Sequence, residues 1–436
     1  MPARMFLLKA FRLKTTLKIN RDKIKILVFT SLFPNNTSRN HGVFVKERMS
    51  AVARLGGCEL KVVAPVPYYP SVRFGWRAGY ARVVREEVID GIEVYHPRYF
   101  MIPKVGMVLQ GLTMFISLLP YIRKLQRSSE FDLIDAHYVY PDGLAAVLLG
   151  AVLNKPVVIS ARGSDINEFG KFPIIKRLLH YTLKRATHCI AVCQALKNEM
   201  MRFGITSTNI TVIPNGVDGK KFFPCGTEEA RERLGLPASR RIILSVGALI
   251  PRKGHDYTIR ALKVLIQKNE FSDLLLIIAG GGPDREELIL LVRALGLSEQ
   301  VRFVGEIPHQ ELRFWYSAAD LFCLASDREG WPNVILESLA CGTPVIATNI
   351  WGVPEIIQSD DIGLLTKRDD NDIAAALHRG LTKNWRREKI IAFAAQHTWC
   401  RAAQSVQGVF ESVLGVSGRA RVLTEAGGRH RLSGSA

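Results

Sequence analysis

From residue 24 onward, short runs dominated by apolar and β-branched residues alternate with longer stretches in which apolar positions recur every three or four residues. The runs fall at 24–31, 60–65, 133–137, 156–160, 188–193 and 210–213. Apolar on both faces, they have the pattern of strands in a parallel sheet covered by helices. The alternation restarts at 242–246, 274–279, 301–304, 321–325 and 344–347, which predicts two doubly wound α/β domains. Between them Pro214-Asn215-Gly216-Val217-Asp218 opens a polar, turn-rich connector carrying Pro224, Gly226 and Pro237. The expected organisation is an extension over 1–23, a first domain over 24–214, a linker over 215–241 and a second domain over 242–395. A last helix over 396–414, expected to cross back to the first domain, and a tail over 415–436 complete it.

The stretch 325–348, ASDREGWPNVILESLACGTPVIAT, reads as strand end, loop, helix and strand. Pro332 suits the first turn of a helix, and Gly342 with Pro344 suits its stop, so the helix is expected over 332–341. Glu329 then lies in the loop and Glu337 about five residues inside the helix, roughly 7–8 Å further along the axis. Glu337 is the single charge among Val334, Ile335, Leu336, Leu339 and Ala340. A buried carboxylate is costly unless it is hydrogen-bonded, so Glu337 serves either the local structure or a ligand.

In open α/β sheets, ligands bind beyond the carboxyl ends of the strands, which makes the cleft between the two domains the expected site. Those strand ends carry the unusual residues. Asn40-His41-Gly42-Val43-Phe44 opens a helix after the first strand, where Gly42 allows close backbone approach. His137 ends a strand, and Arg162-Gly163-Ser164-Asp165 ends the next. In the second domain, Gly247-Ala248-Leu249-Ile250-Pro251-Arg252-Lys253-Gly254 places two cations at a helix start, either a phosphate clamp or a solvated pair. Gly280-Gly281-Gly282-Pro283 matches neither the dinucleotide fingerprint nor a P-loop.

Composition narrows the picture. A chain of 436 residues with 47% apolar and 23% charged residues is globular and long enough for two cores. The net charge is +19, of which the segment up to Lys23 carries +6 and the residues beyond Leu414 carry +3. The body therefore keeps about +10, suited to nucleotides or an anionic surface. Nucleic acid is not expected, because no zinc-finger spacing, basic zipper or RNA-binding aromatic signature occurs. Seven scattered cysteines point to reduced thiols in a cytoplasmic protein. The longest apolar run, 105–119, is too short to span a bilayer, yet with Arg123, Lys124 and Arg127 after it, it suits either core packing or a membrane interface.

Taken together, Gly42, the IDAH strand end at His137, RGSD, PNGVD, RKG, AGGGP and the Glu329-x7-Glu337 spacing resemble glycosyltransferase family 4 over about residues 23–415. The resemblance implies the GT-B fold, two Rossmann-like domains facing a cleft, and retaining transfer from a nucleotide-diphosphate sugar to a lipid-linked or polysaccharide acceptor, possible at an anionic membrane surface. It implies that Arg252 and Lys253 hold the diphosphate, Glu329 the donor sugar, and the amides of Gly330, Trp331, Pro332, Asn333 and Val334 both (Pro332 through its neighbours, having no N–H of its own). Glu337 would bind the ribose, Gly305, Glu306 and Ile307 would flank the base, and Gly42 would approach the phosphates. His137 would lie beside the reacting sugar. No metal or other cofactor is expected, since no Asp-x-Asp that would hold one stands among these motifs. Many relatives carry Arg where this chain has Ala248, and Arg252 is expected to compensate. A GT-B sugar-nucleotide epimerase and a non-catalytic polyanion- or membrane-binding scaffold are the alternatives.

Overall fold

A computed structural model describes residues 23–68, 78–101, 106–268, 271 and 273–416. Residues 1–22 of the extension expected over 1–23 and most of the tail expected over 415–436 lie outside the described residues.

The first half contributes β1 (Ile24–Phe29), β2 (Cys58–Val63), β3 (Val66–Tyr68), β4 (Glu86–Ile89), β5 (Ile92–Tyr95), β6 (Arg98–Phe100), β7 (Leu133–His137), β8 (Val157–Ala161), β9 (His188–Ala191) and β10 (Ile210–Val212). Eight of them form a sheet in the order β10-β9-β8-β7-β1-β2-β5-β4, and β3 pairs with β6 separately. The second half contributes β11 (Arg241–Val246), β12 (Leu274–Ala279), β13 (Val301–Gly305), β14 (Leu321–Leu324), β15 (Val345–Thr348) and β16 (Gly363–Thr366). Its sheet runs β13-β12-β11-β14-β15-β16, all pairs parallel. Strands β7, β8, β12, β14 and β15 are buried along their whole length, which is why their apolar runs are continuous.

The first sheet departs from an all-parallel pattern at one edge. β4 runs antiparallel to β5 through Asp90-Gly91, both with positive φ (51° and 80°), a two-residue hairpin turn. These strands expose alternate residues, so they lack the long apolar runs that mark the buried strands.

The chain crosses between the halves twice. Beyond the connector, the helix Trp399–Leu414 returns to pack on the helix Val43–Arg54, and Trp399, Ala403, Val406, Phe410 and Leu414 enter the core beneath β1 and β2. A bridge between Val217 and Thr398 ties the two crossings together. The carboxyl ends of both sheets consequently face one cleft. All seven cysteines are free, and five of them are buried.

Candidate active site

Between the sheets lies a cavity of about 270 Å³. Its first-domain wall includes Phe44, Tyr138, Arg162, Ser164 and Asn167, and its second-domain wall Arg252, Lys253, Glu329 and residues 330–334. Each wall follows from the local chain. After β11 the segment Pro251–Lys253 forms one 3-10 turn, and Gly254 in a left-handed conformation starts the helix His255–Gln267, so both cations sit at a helix entrance. After β14 the loop carries Ser326 and Glu329 into the helix Asn333–Ala340, close to the 332–341 expected.

Glu329 is only 9% exposed, so its charge must be met inside the protein. Lys253 Nζ stands 2.6 Å from Oε1, Ser326 Oγ donates to the same oxygen at 2.8 Å, and Arg252 Nη1 is 3.6 Å from Oε2. Burial alone would raise this carboxyl, but Lys253 and then Arg252 overcome it and hold it below the usual glutamate value. Arg252 also donates to the Arg328 carbonyl at 2.8 Å.

A second cavity, of about 180 Å³, shares Phe44 and Asn333 with the first, so the two are neighbouring compartments of one cleft. Glu337 lines it, one turn into the helix, and accepts from His309 Nε2 at 2.9 Å and Tyr316 Oη at 3.1 Å. Burial lowers the His309 imidazole, yet Glu337 overcomes this and raises it above the ordinary value. The two glutamates thus open into adjoining compartments on either side of the N-terminus of one helix, where anions are favoured.

The other expected residues are placed differently. His137 is fully buried at the end of β7 and lines neither cavity. Its Nδ1 accepts from Arg162 Nη2 at 2.5 Å, which puts the ring proton on Nε2, facing Asp135 Oδ2 at 3.0 Å. That approach is within ion-pair distance but misaligned for a hydrogen bond. Burial, with Arg162 adding to it, pushes His137 down to about 4, so the ring is neutral. Gly42 also lines neither cavity: its φ is +64°, and a Cβ there would meet the Leu32 carbonyl carbon at 2.3 Å. It lets the chain turn into the helix bearing Phe44, which does line both. Gly305 at the end of β13, and Glu306 and Ile307 after it, lie outside both linings, and Ala248 likewise. Among the described residues, no group of three or more His, Cys, Asp or Glu could hold a metal ion.

Several lining residues are not among those expected. Tyr138, Arg162 and Asn167 come from the segments after β7 and β8, whose polar character is visible in the sequence but whose direction depends on the β7–β8 register, and Asn215 comes from the connector after β10. Asp165 sets that direction. It is fully buried and accepts from the backbone N–H groups of Val139, Arg162 and Gly163 at 2.9, 3.0 and 2.8 Å, locking RGSD against the Tyr138 turn. His309 has no sequence signal, because its approach to Glu337 is made by the path of the chain after β13.

Comparison with known proteins agrees with this architecture. Residues 57–221 match the model for Glycosyltransferase Family 4 and residues 226–397 that for Glycosyl transferases group 1. A Bacillus subtilis glycosyltransferase named for teichuronic acid biosynthesis, TuaC, is 30% identical over 369 residues, covering 82% of this chain and 89% of its own. A D-inositol 3-phosphate glycosyltransferase of Corynebacterium jeikeium is 33% identical over 233 residues, 50% of this chain and 56% of that protein. Sucrose-phosphate synthase of Thermosynechococcus elongatus superposes with a TM-score of 0.71 at 19% identity, covering 91% of this chain and all of that one. HepE of Anabaena, solved with UDP-glucose, gives 0.68 at 20% identity over 89% of this chain and all of its own. The fold is GT-B, and this chain is a glycosyltransferase belonging to glycosyltransferase family 4.

Proposed function

We propose that this enzyme transfers a sugar, with retention, from a nucleotide-diphosphate sugar to a lipid-linked or polysaccharide acceptor in cell-envelope or extracellular polysaccharide synthesis. The observation that carries it is the pairing of Lys253 and Arg252 with Glu329 at the mouth of the helix Asn333–Ala340, with Glu337 in the next compartment. A nucleotide sugar is the extended ligand that matches this spacing: ribose at Glu337, diphosphate at the helix N-terminus and the two cations, sugar at Glu329.

In the reaction, the bond from the anomeric carbon to the diphosphate oxygen breaks and its electron pair stays on that oxygen. The acceptor hydroxyl oxygen bonds the same carbon, and its proton passes to the departing phosphate. Charge grows on the diphosphate as the bond breaks, so fixed cations there stabilise the transition state more than the ground state. One unit charge about 4 Å away at an effective dielectric near 20 interacts by about 4 kcal/mol before desolvation. Glu329 holds Lys253 in place before the donor arrives, at the cost of partly neutralising it.

The acceptor side fits a membrane-surface enzyme on the inner face of the plasma membrane. No helix among the described residues is long and apolar enough to cross a membrane. The helices Gly106–Ser128 and Pro173–Arg185 nevertheless expose Leu112, Ile116, Ile174 and Tyr181 beside basic side chains. As the test of the transfer itself, purified enzyme is screened for thermal stabilisation by a panel of nucleotide sugars and assayed with the one that binds. Glu329→Ala is expected to lose at least about a hundredfold in transfer, comparable with removing one hydrogen-bonding group that acts in the transition state, while keeping its melting temperature within a few degrees. Unimpaired transfer in that variant sinks the assignment, and conversion of donor alone into its epimer replaces it with an epimerase.

A further inference from the structure

The cleft holds cations from both domains, and they are not equivalently paired. Lys253 and Arg252 face Glu329, and Arg328 faces Asp327 at 3.2 Å. Arg162, on the opposite wall, has no carboxylate within ion-pair distance among the described residues. Its Nη1 donates to Asn215 Oδ1 at 3.0 Å and its Nη2 to His137 Nδ1 at 2.5 Å, both neutral acceptors. Asp135 and Asp165 act on Arg162 only at longer range, without an ion-pair contact, and Asp165 spends its oxygens on backbone N–H groups. Arg162 is only 8% exposed, and its Nε is buried with no partner. These distant carboxylates offset the burial of Arg162 only in part, so an anion in direct contact would stabilise it further.

The surroundings indicate where that anion lies. Asn215, which accepts from Arg162, donates from Nδ2 to Asn333 Oδ1 at 3.0 Å, so the guanidinium connects through one side chain to the first residue of the helix Asn333–Ala340. The Arg162 backbone also touches the opposite loop, since a Cβ on Gly330 would meet the Arg162 carbonyl oxygen at 2.1 Å. The guanidinium lies over Phe44, 5.4 Å from the ring centroid, and Phe44 separates the two compartments. These contacts put the unpaired charge at the junction between the Glu329 and Glu337 compartments.

We infer that Arg162 is a cation of the donor site supplied by the first domain, which engages the diphosphate when the cleft closes, with the neutral imidazole of His137 as the positioning residue behind it. The inference rests on the nucleotide-sugar reading above. It gives the site an Arg fork where the second domain has Ala248, and it gives His137 a structural task without contact to the sugar. Neutrality is what lets Nδ1 accept the arginine N–H, since an imidazolium has no acceptor.

The test begins with wild-type enzyme and a panel of nucleoside diphosphates, each titrated by calorimetry beside its parent nucleoside. If none binds wild type, the donor reading itself has failed, and Arg162 is not in question. With the diphosphate that binds, Arg162→Gln is expected to weaken affinity at least about tenfold while nucleoside affinity changes less than about twofold. Arg162→Lys keeps the charge without the fork and is expected to recover part of the loss. His137→Gln, which retains a side-chain acceptor, is expected to lose less diphosphate affinity than His137→Leu. Circular dichroism identifies any variant that does not fold, and Arg162→Lys with the salt dependence of wild-type diphosphate binding then decides. Unchanged diphosphate affinity in a folded Arg162→Gln, or equal loss for diphosphate and nucleoside, overturns the inference. So does a loss seen only in the acceptor KM, which would place the guanidinium on the acceptor.

Discussion

At the scale of single residues, His309 is where pH reaches the proposed donor site. Burial lowers its imidazole, and the facing Glu337 carboxylate more than compensates, so protonation persists above the ordinary histidine value of 6.5. Around the ring stand Glu337, the Phe222 ring at 5.0 Å, and at longer range Glu47 and Lys221, which oppose one another. A pKa raised on folding stabilises fully below the unfolded value and loses that contribution as pH rises through the folded one. The charge-assisted His309–Glu337 bond therefore weakens on going alkaline, and on the proposed donor reading Glu337 becomes freer to accept ribose hydroxyls. Affinity for the nucleoside is expected to rise several-fold between about pH 6 and about pH 9, about 1 kcal/mol for exchanging a charged for a neutral hydrogen bond. Titration calorimetry of wild type and His309→Gln checks this. The slope should flatten in the variant, and an unchanged slope would assign the pH dependence elsewhere.

At the scale of elements, the sequence displayed most of what is buried and little of what is aimed. The continuous apolar strands and the helix after Pro332 are legible because burial on both faces leaves no polar position to confuse the period. The hairpin Glu86–Tyr95 escapes because its residues alternate in exposure, although Asp90-Gly91 is a turn signal. Strand β16 escapes because it is four residues long and starts with glycine. Glu329 and Glu337 could be picked out as charges in apolar surroundings, whereas Arg162 and His309 take their meaning from partners 53 and 28 positions away, Asn215 and Glu337. Surface helices carry a separate signal. Along Gly106–Ser128, Leu112 and the 61%-exposed Ile116 share a solvent face with Arg123, Lys124 and Arg127. On Pro173–Arg185, the exposed Ile174 and Tyr181 accompany Lys176, Arg177, Lys184 and Arg185. Both helices pack against the Leu144–Leu153 helix, placing these faces on the same side of the first domain. Anionic vesicles are expected to float the protein at low salt, and neutral vesicles to float less. Ile116→Glu should lower the bound fraction about tenfold, the loss of roughly 1.5 kcal/mol of apolar burial or more. Failure to float with anionic vesicles at low salt disproves the membrane face.

At the scale of the whole molecule, the two domains meet at the site through backbone, and that makes closure itself testable. Gly163, with φ +128°, lies against Gly330, and a Cβ on Gly330 would meet the Arg162 carbonyl oxygen at 2.1 Å. Backbone atoms cannot step aside as a flexible side chain can, so the contact needs glycine. Next to it the domains exchange hydrogen bonds: Glu355 of the second accepts from the N–H groups of Gln194 and Ala195 at 2.7 and 2.8 Å, capping the helix Gln194–Arg202 of the first. Asn215 and Asn333 add the bond at 3.0 Å. Both cleft compartments have walls from each side of this seam, so an opened cleft separates Arg162 and Phe44 from Glu329 and Lys253. Gly330→Ala should leave each domain folded, because the clash lies between domains, but hold the cleft open. Small-angle scattering is expected to show a larger radius of gyration than wild type, with transfer reduced about a hundredfold, as misplacement of reacting groups by about 1 Å can do. Nucleoside affinity should fall much less, since Glu337 and the helix Asn333–Ala340 belong to one domain. A Gly330→Ala enzyme as compact and as active as wild type would mean that the Arg162–Gly330 contact is not required for turnover, and that the two walls act without meeting.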